Sequence, residues 1–145
     1  MTALRPEESA FPPHGRTEVH PHGRVVYFEA TGPFNAEAVA VMQKAYTPIM
    51  ATMAADGPFG HISTFHESML ATPEAFDAFA ALLDGWCNAG ILPAVNAYVI
   101  ARDVEGRNLL LPRYAAAFPA TCRFSAFEQP ADAEAWVARE LSALR

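Results

Sequence analysis

Five histidines, a His66-Glu67-Ser68 run and a Thr72-Pro73-Glu74 run hold most of the side chains in this sequence that could do chemistry. A zinc site needs three or four ligands in fixed geometry. His14, His20 and His22 lie in or before a short first hairpin, and His20 and His22 flank Pro21, which lets their rings fall on one side. His61 and His66 are five residues apart in one strand pattern, so they point to opposite faces and cannot ligate together within it. No metal or cofactor is expected from these spacings. His66-Glu67-Ser68 has the residue types of a nucleophilic triad, but three consecutive residues on a strand point apart and cannot pass a proton in line. There is no GxSxG elbow. Gly57-Pro58-Phe59-Gly60 is not a phosphate cradle, and no GxxxxGK[ST] occurs. Asp77, Asp84, Glu128 and Asp132 fall in helical or loop settings and read as solvated surface. No catalytic residue is assigned, and the expectation is a protein that binds rather than catalyses.

The elements that must position any site follow from periodicity and punctuation. Residues 1–15 lack periodicity and are expected to form a flexible N-terminal arm. Residues 16–145 are expected to form one domain. Thr17 to His20 suits a short strand and Pro21-His22-Gly23 a turn. Arg24 to Thr31, rich in β-branched and aromatic residues, suits the returning strand. Asn35 can cap a helix over Ala36 to Ala55, with Val39, Met42, Tyr46, Ile49 or Met50, and Met53 at three- and four-residue steps. Pro48 inside it predicts a kink or a split. Phe59 to His66 reads as a strand. Thr72-Pro73 is a cap followed by a first-turn proline, opening a helix to Asn88 with Phe76, Phe79, Leu83 and Trp86 or Cys87 along one side. Val95 to Ala101 is apolar apart from Asn96 and has the look of a strand covered on both faces. A short helix is expected within Leu109 to Phe118, starting near Pro112. Thr121 to Phe127 reads as a strand. Asp132 to Leu144 reads as a helix with Ala133, Trp136, Val137, Leu141 and Leu144 inward. Strands separated by helices call for parallel pairing and right-handed crossovers.

Composition bounds the partners. The chain has 145 residues and a formal net charge of −6. An acidic domain repels phosphate backbones, so nucleic acid is not an expected partner. Charged residues make up only 18% against 52% hydrophobic, which leaves apolar surface available for a pocket or a second copy. No apolar stretch is long enough for a membrane span. Met1 to Pro13 lacks a signal-peptide core, and the cytoplasm is the expected compartment. Cys87 and Cys122 are expected to be reduced, buried thiols.

The opening VHPHGRVVYFEATGPFN and the closing RFSAFEQPADAEAWVAREL carry a resemblance. They are similar to the first hairpin and the terminal strand, acidic loop and helix of the SpoIIAA-like branch of the STAS fold, which shares features with lipid-binding CRAL-TRIO domains. The likeness spans residues 17–144. It implies a mixed sheet of about five strands with an antiparallel opening hairpin and about four helices. It also implies regulation through protein partners, with a phosphorylated serine at a helix start inside an Asp-Ser motif. The matching region here is Met69-Leu70-Ala71-Thr72-Pro73-Glu74 and has no Asp-Ser pair. Thr72 is the hydroxyl at that helix start. It reads first as a helix cap, with phosphoacceptor as the alternative.

Two functions follow. The first is a non-catalytic regulatory or protein-interaction module of STAS-like type, acting on an unidentified protein or on a second copy of itself. The second is a binder of a small apolar or amphipathic ligand in a pocket between helix and sheet. Met42, Met50, Met53, Phe65, Phe76, Phe79 and Tyr98 read first as core and are also the candidate walls of that pocket.

Overall fold

The computed structural model describes residues 12–144. The strands are β1 (Arg16–His22), β2 (Val25–Thr31), β3 (Gly60–His66), β4 (Val95–Ile100) and β5 (Arg123–Phe127). The helices are α1 (Ala36–Ala55), α2 (Pro73–Asn88), α3 (Arg107–Ala117) and α4 (Pro130–Ala143). The element order and the mixed sheet are those expected. The strands lie side by side in chain order, with β1 antiparallel to β2 and every later pair parallel.

That strand order fixes the layers. Each parallel step moves one place in the same direction, and right-handed crossovers then put α1, α2 and α3 on one face. α4 follows the last strand and packs on the other face, against β3, β4 and β5. Two cores result. The larger, under the first three helices, includes Val26, Phe28, Met50, Leu83, Tyr98 and Ile100. The smaller joins Ile62, Val95, Ala97 and Val99 to Ala133 and Val137 of α4. All six residues of β4 are buried, as its unbroken apolar character predicts. α4 lies close to β3 because Gly60 stands beneath it. A Cβ at Gly60 would meet Val137 Cγ1 at 2.8 Å.

Several boundaries differ from expectation for identifiable reasons. β1 runs through Pro21 to His22; as an edge strand it tolerates the missing donor. α1 continues through Pro48 without a split. Pro48 is exposed, so the carbonyl it leaves unpaired can face solvent. α3 starts at Arg107, ahead of Pro112, because Gly106 at φ 82° turns the chain and its carbonyl accepts from Leu110 at 2.7 Å. α4 starts at Pro130, where a first-turn proline costs no hydrogen bond. Leu144 is 37% exposed rather than inward, since it lies past the end of α4. Cys87 and Cys122 are both free but only partly buried. Residues 1–11 of the expected arm lie outside the described residues. Residues 12–14 are tied to the cap of α1: Asn35 Nδ2 donates to the Pro12 carbonyl at 3.0 Å, and the His14 amide donates to Asn35 Oδ1 at 2.9 Å. No helix among the described residues is long and apolar enough to cross a membrane.

Candidate functional site: a lined cavity between α1 and the sheet

The inward face of the sheet presents Thr17 and Val19 from β1, Phe28 and Ala30 from β2, Ser63 and Phe65 from β3, and Tyr98 from β4. These form the floor of a cavity of about 530 Å³. Its roof is α1, with Ala75 and Phe79 of α2 and Tyr114 of α3 closing the inner end. The space exists because small side chains face it where a core would carry large ones: Ala30, Ala38, Ala45, Ala71 and Ala75. Exposed Arg16 and Glu18 of β1 and Val41 of α1 mark the mouth. A second space of about 50 Å³ lies deeper and shares Phe28, Met42, Ser63, Phe79 and Tyr98 with the first.

The seven expected pocket residues divide. Met42, Phe65, Phe79 and Tyr98 line the main cavity, and Met50 lines the deeper one. Met53 lines neither; it lies in the last turn of α1, fully within the core. Phe76 also lines neither. It faces α3, with its ring 5.5 Å from that of Tyr114 and the Arg113 guanidinium 4.6 Å above its face.

The polar groups of the cavity are few. Thr17 Oγ1 and the Tyr46 hydroxyl hydrogen-bond to each other beside the mouth. The Tyr114 hydroxyl donates to the Met69 carbonyl at 3.2 Å. Ser63 Oγ meets His61 Nε2 at 2.5 Å, and His61 Nδ1 meets Asn96 Oδ1 at 2.9 Å. Asn96 Nδ2 donates to the Pro93 carbonyl at 2.9 Å, which turns the amide oxygen toward the imidazole. His61 Nδ1 therefore carries the proton, Nε2 is bare, and the Ser63 hydroxyl donates to it. Burial, partly opposed by the hydrogen bond to Asn96, holds the His61 pKa down at about 4. The imidazole is neutral at pH 7. This line has the outward form of a nucleophile, base and orienter, but its electrostatics run against that use. A base must become imidazolium in the reaction, and a neutral amide stabilises that cation less than a carboxylate. Ser63 is held as an acceptor toward the cavity.

Tyr98 is a further polar group on the floor. It is 2% exposed and pairs in register with Ser63. Among the described residues every sealed side-chain nitrogen or oxygen has a partner. The Tyr98 hydroxyl hydrogen-bonds to no other described residue, and Tyr98 lines both the main cavity and the deeper space. Burial, with a smaller contribution from Tyr114, pushes its pKa well above the ordinary tyrosine value. It is a neutral donor.

The other sequence candidates lie elsewhere. His66 is exposed, its Nε2 3.0 Å from Glu29 Oε1, on the face opposite His61. Glu67 adopts φ 64° and Ser68 is buried, its Oγ accepting from the Leu70 amide at 3.1 Å. These three do not converge. His20 stacks on Tyr27 with ring centroids 5.3 Å apart, on the outer face of β1. Glu128 pairs with Arg102 at 2.7 Å, while Asp77, Asp84 and Asp132 are exposed. Thr72 is exposed and its Oγ1 accepts from the Ala75 amide at 3.0 Å, capping α2. Sequence reasoning weighed His61 only as a metal ligand and gave Ser63 and Asn96 no role in a site. The available signal was two polar residues two apart in an inward-facing strand, and one asparagine in an otherwise apolar central one.

The five-stranded mixed sheet, with three helices on one face and one on the other, is a STAS-like α/β fold. A solved structure of this fold is that of an anti-sigma factor antagonist from Mycobacterium paratuberculosis. It aligns with a TM-score of 0.53 and 15% sequence identity, over 94% of this chain and 99% of that one. No protein-family model and no curated protein matches the sequence.

Proposed function

We propose that this chain is a non-catalytic binding module of STAS-like fold whose cavity takes a small apolar or amphipathic ligand. The observation that carries the reading is the cavity itself. About 530 Å³ of space opens between α1 and the sheet, within the range of small-molecule pockets and lined as they are, mostly by apolar groups with a few polar ones. Met42 and Phe79 supply part of its walls, and we propose the cytoplasm as its compartment.

Native mass spectrometry of the purified full chain and a thermal-shift series with fatty acids, fatty alcohols and isoprenoids test it. A ligand at 100 times its dissociation constant adds ~2.7 kcal/mol of stability, well within detection. Ala45→Trp at the roof should abolish the shift. No co-purifying mass and no shift with any compound would remove the proposal.

A second reading is supported by the solved neighbour, which is itself an anti-sigma factor antagonist. On it, this chain regulates by binding another protein or a second copy of itself, and Thr72 at the exposed start of α2 is the phosphoacceptor. Light scattering after size exclusion, a pull-down and phosphosite mapping test it. A strict monomer that recovers no partner and carries no modified Thr72 would count against it.

A further inference from the structure

We propose that the preferred ligand of the cavity is an apolar molecule carrying one uncharged hydroxyl group, received on the floor by Ser63 and Tyr98. This rests on the cavity being a ligand site and names the chemistry that it selects.

The argument is one of donors and acceptors. The Ser63 proton is committed to His61 Nε2. The imidazole is held in that tautomer by Asn96, whose own amide is anchored to the Pro93 carbonyl. Ser63 therefore offers the cavity lone pairs only. Tyr98, its neighbour across β3 and β4, offers a phenolic proton that no described residue accepts. A bound group that accepts from it forms a hydrogen bond that the described residues do not supply.

The floor thus presents one acceptor and one donor. A hydroxyl satisfies both. An ether or ketone oxygen satisfies only Tyr98 and leaves Ser63 against apolar material. A carboxylate matches the donor but repels the Ser63 lone pairs, and the cationic side chain lining the cavity is exposed Arg16 at the mouth, beside Glu18. Among the described lining residues the one carboxylate is exposed Glu18 at the mouth, so an ammonium finds none on the floor. The relay of three buried polar residues makes structural sense on this view. It fixes the direction of one hydroxyl.

The test uses the full chain and a neutral fluorescent probe, N-phenyl-1-naphthylamine, displaced by 1-decanol, decyl methyl ether or decanoate. 1-Decanol should displace the probe at about tenfold lower concentration than the ether or the acid. Tyr98→Phe and Ser63→Ala should each bring 1-decanol to the level of the ether, with probe affinity unchanged. Tyr98→Phe keeps the ring and its packing, so it decides alone if Ser63→Ala does not fold. Equal displacement by alcohol and ether, or an alcohol preference that survives Tyr98→Phe, overturns the hydroxyl proposal while leaving the cavity a ligand site. Failure of the probe and of all three compounds to bind overturns both.

Discussion

Acid should weaken this fold through His61, by an amount the structure sets. The ring is 6% exposed, and burial holds its pKa at about 4 against an ordinary value of 6.5. Between those values the unfolded chain carries a proton that the folded chain refuses, so stability rises with pH across the window. The contribution is complete above about pH 6.5, falls progressively as pH drops, and levels off near pH 4. Each pKa unit is worth about 1.4 kcal/mol, and the gap therefore amounts to roughly 3 kcal/mol. That is a large share of the ~5–15 kcal/mol that holds a typical domain together. Urea unfolding of the native chain and of His61→Gln, followed by circular dichroism from pH 7.5 down to 4, isolates the effect. His14, His20, His22 and His66 are exposed and present in both proteins, so the difference between the two profiles isolates His61. The native chain should lose about 3 kcal/mol more than His61→Gln across the window. Parallel profiles would refute the burial argument.

Three further outcomes follow from local geometry. Thr72→Ala removes the side-chain acceptor for the Ala75 amide and should cost about 1 kcal/mol in chemical denaturation. Gly60→Ala places a methyl group 2.8 Å from Val137 Cγ1; the overpacking should cost about 1–3 kcal/mol and lower the melting temperature. Arg24→Met keeps the aliphatic stem but removes the guanidinium that donates to the Met53 and Pro58 carbonyls at 3.1 and 2.9 Å and also to that of Gly57. With Arg24 only partly buried, water can replace some of these bonds, and the loss should be about 1–2 kcal/mol by urea midpoint.

The fold was legible because its signals are local. Asn35 and Thr72 cap their helices as their residue types predict, and Ala38 and Ala75 supply the bonded amides. The apolar run of β4 announced a strand with two covered faces. Where local rules compete with context, context won: Pro21 sits inside β1 because an edge strand has a free side, and Pro48 sits inside α1 on its exposed side. The site was less legible. Its relay depends on His61 standing opposite Asn96 across two strands that 28 residues separate (67–94), a register no local pattern states. The cavity depends on how far α1 stands off the sheet. Alanines at 30, 38, 45, 71 and 75 leave that gap, yet alanine elsewhere in the same helices merely faces solvent, as Ala51 and Ala81 do. Met53 and Phe76 share the periodicity of their neighbours but lie beyond the gap, under the end of α1 and against α3.

Among the described residues the reverse of the sheet has one helix for a cover, and that helix follows all five strands in the chain. While the chain is being synthesised, Ile62, Val95, Ala97 and Val99 stay wet until Ala133 and Val137 arrive. A nascent chain paused after β5 would have every strand in place and a bare, sticky back. Such surfaces are what chaperones and neighbouring nascent chains bind. The arrival of α4 closes that window by covering these side chains.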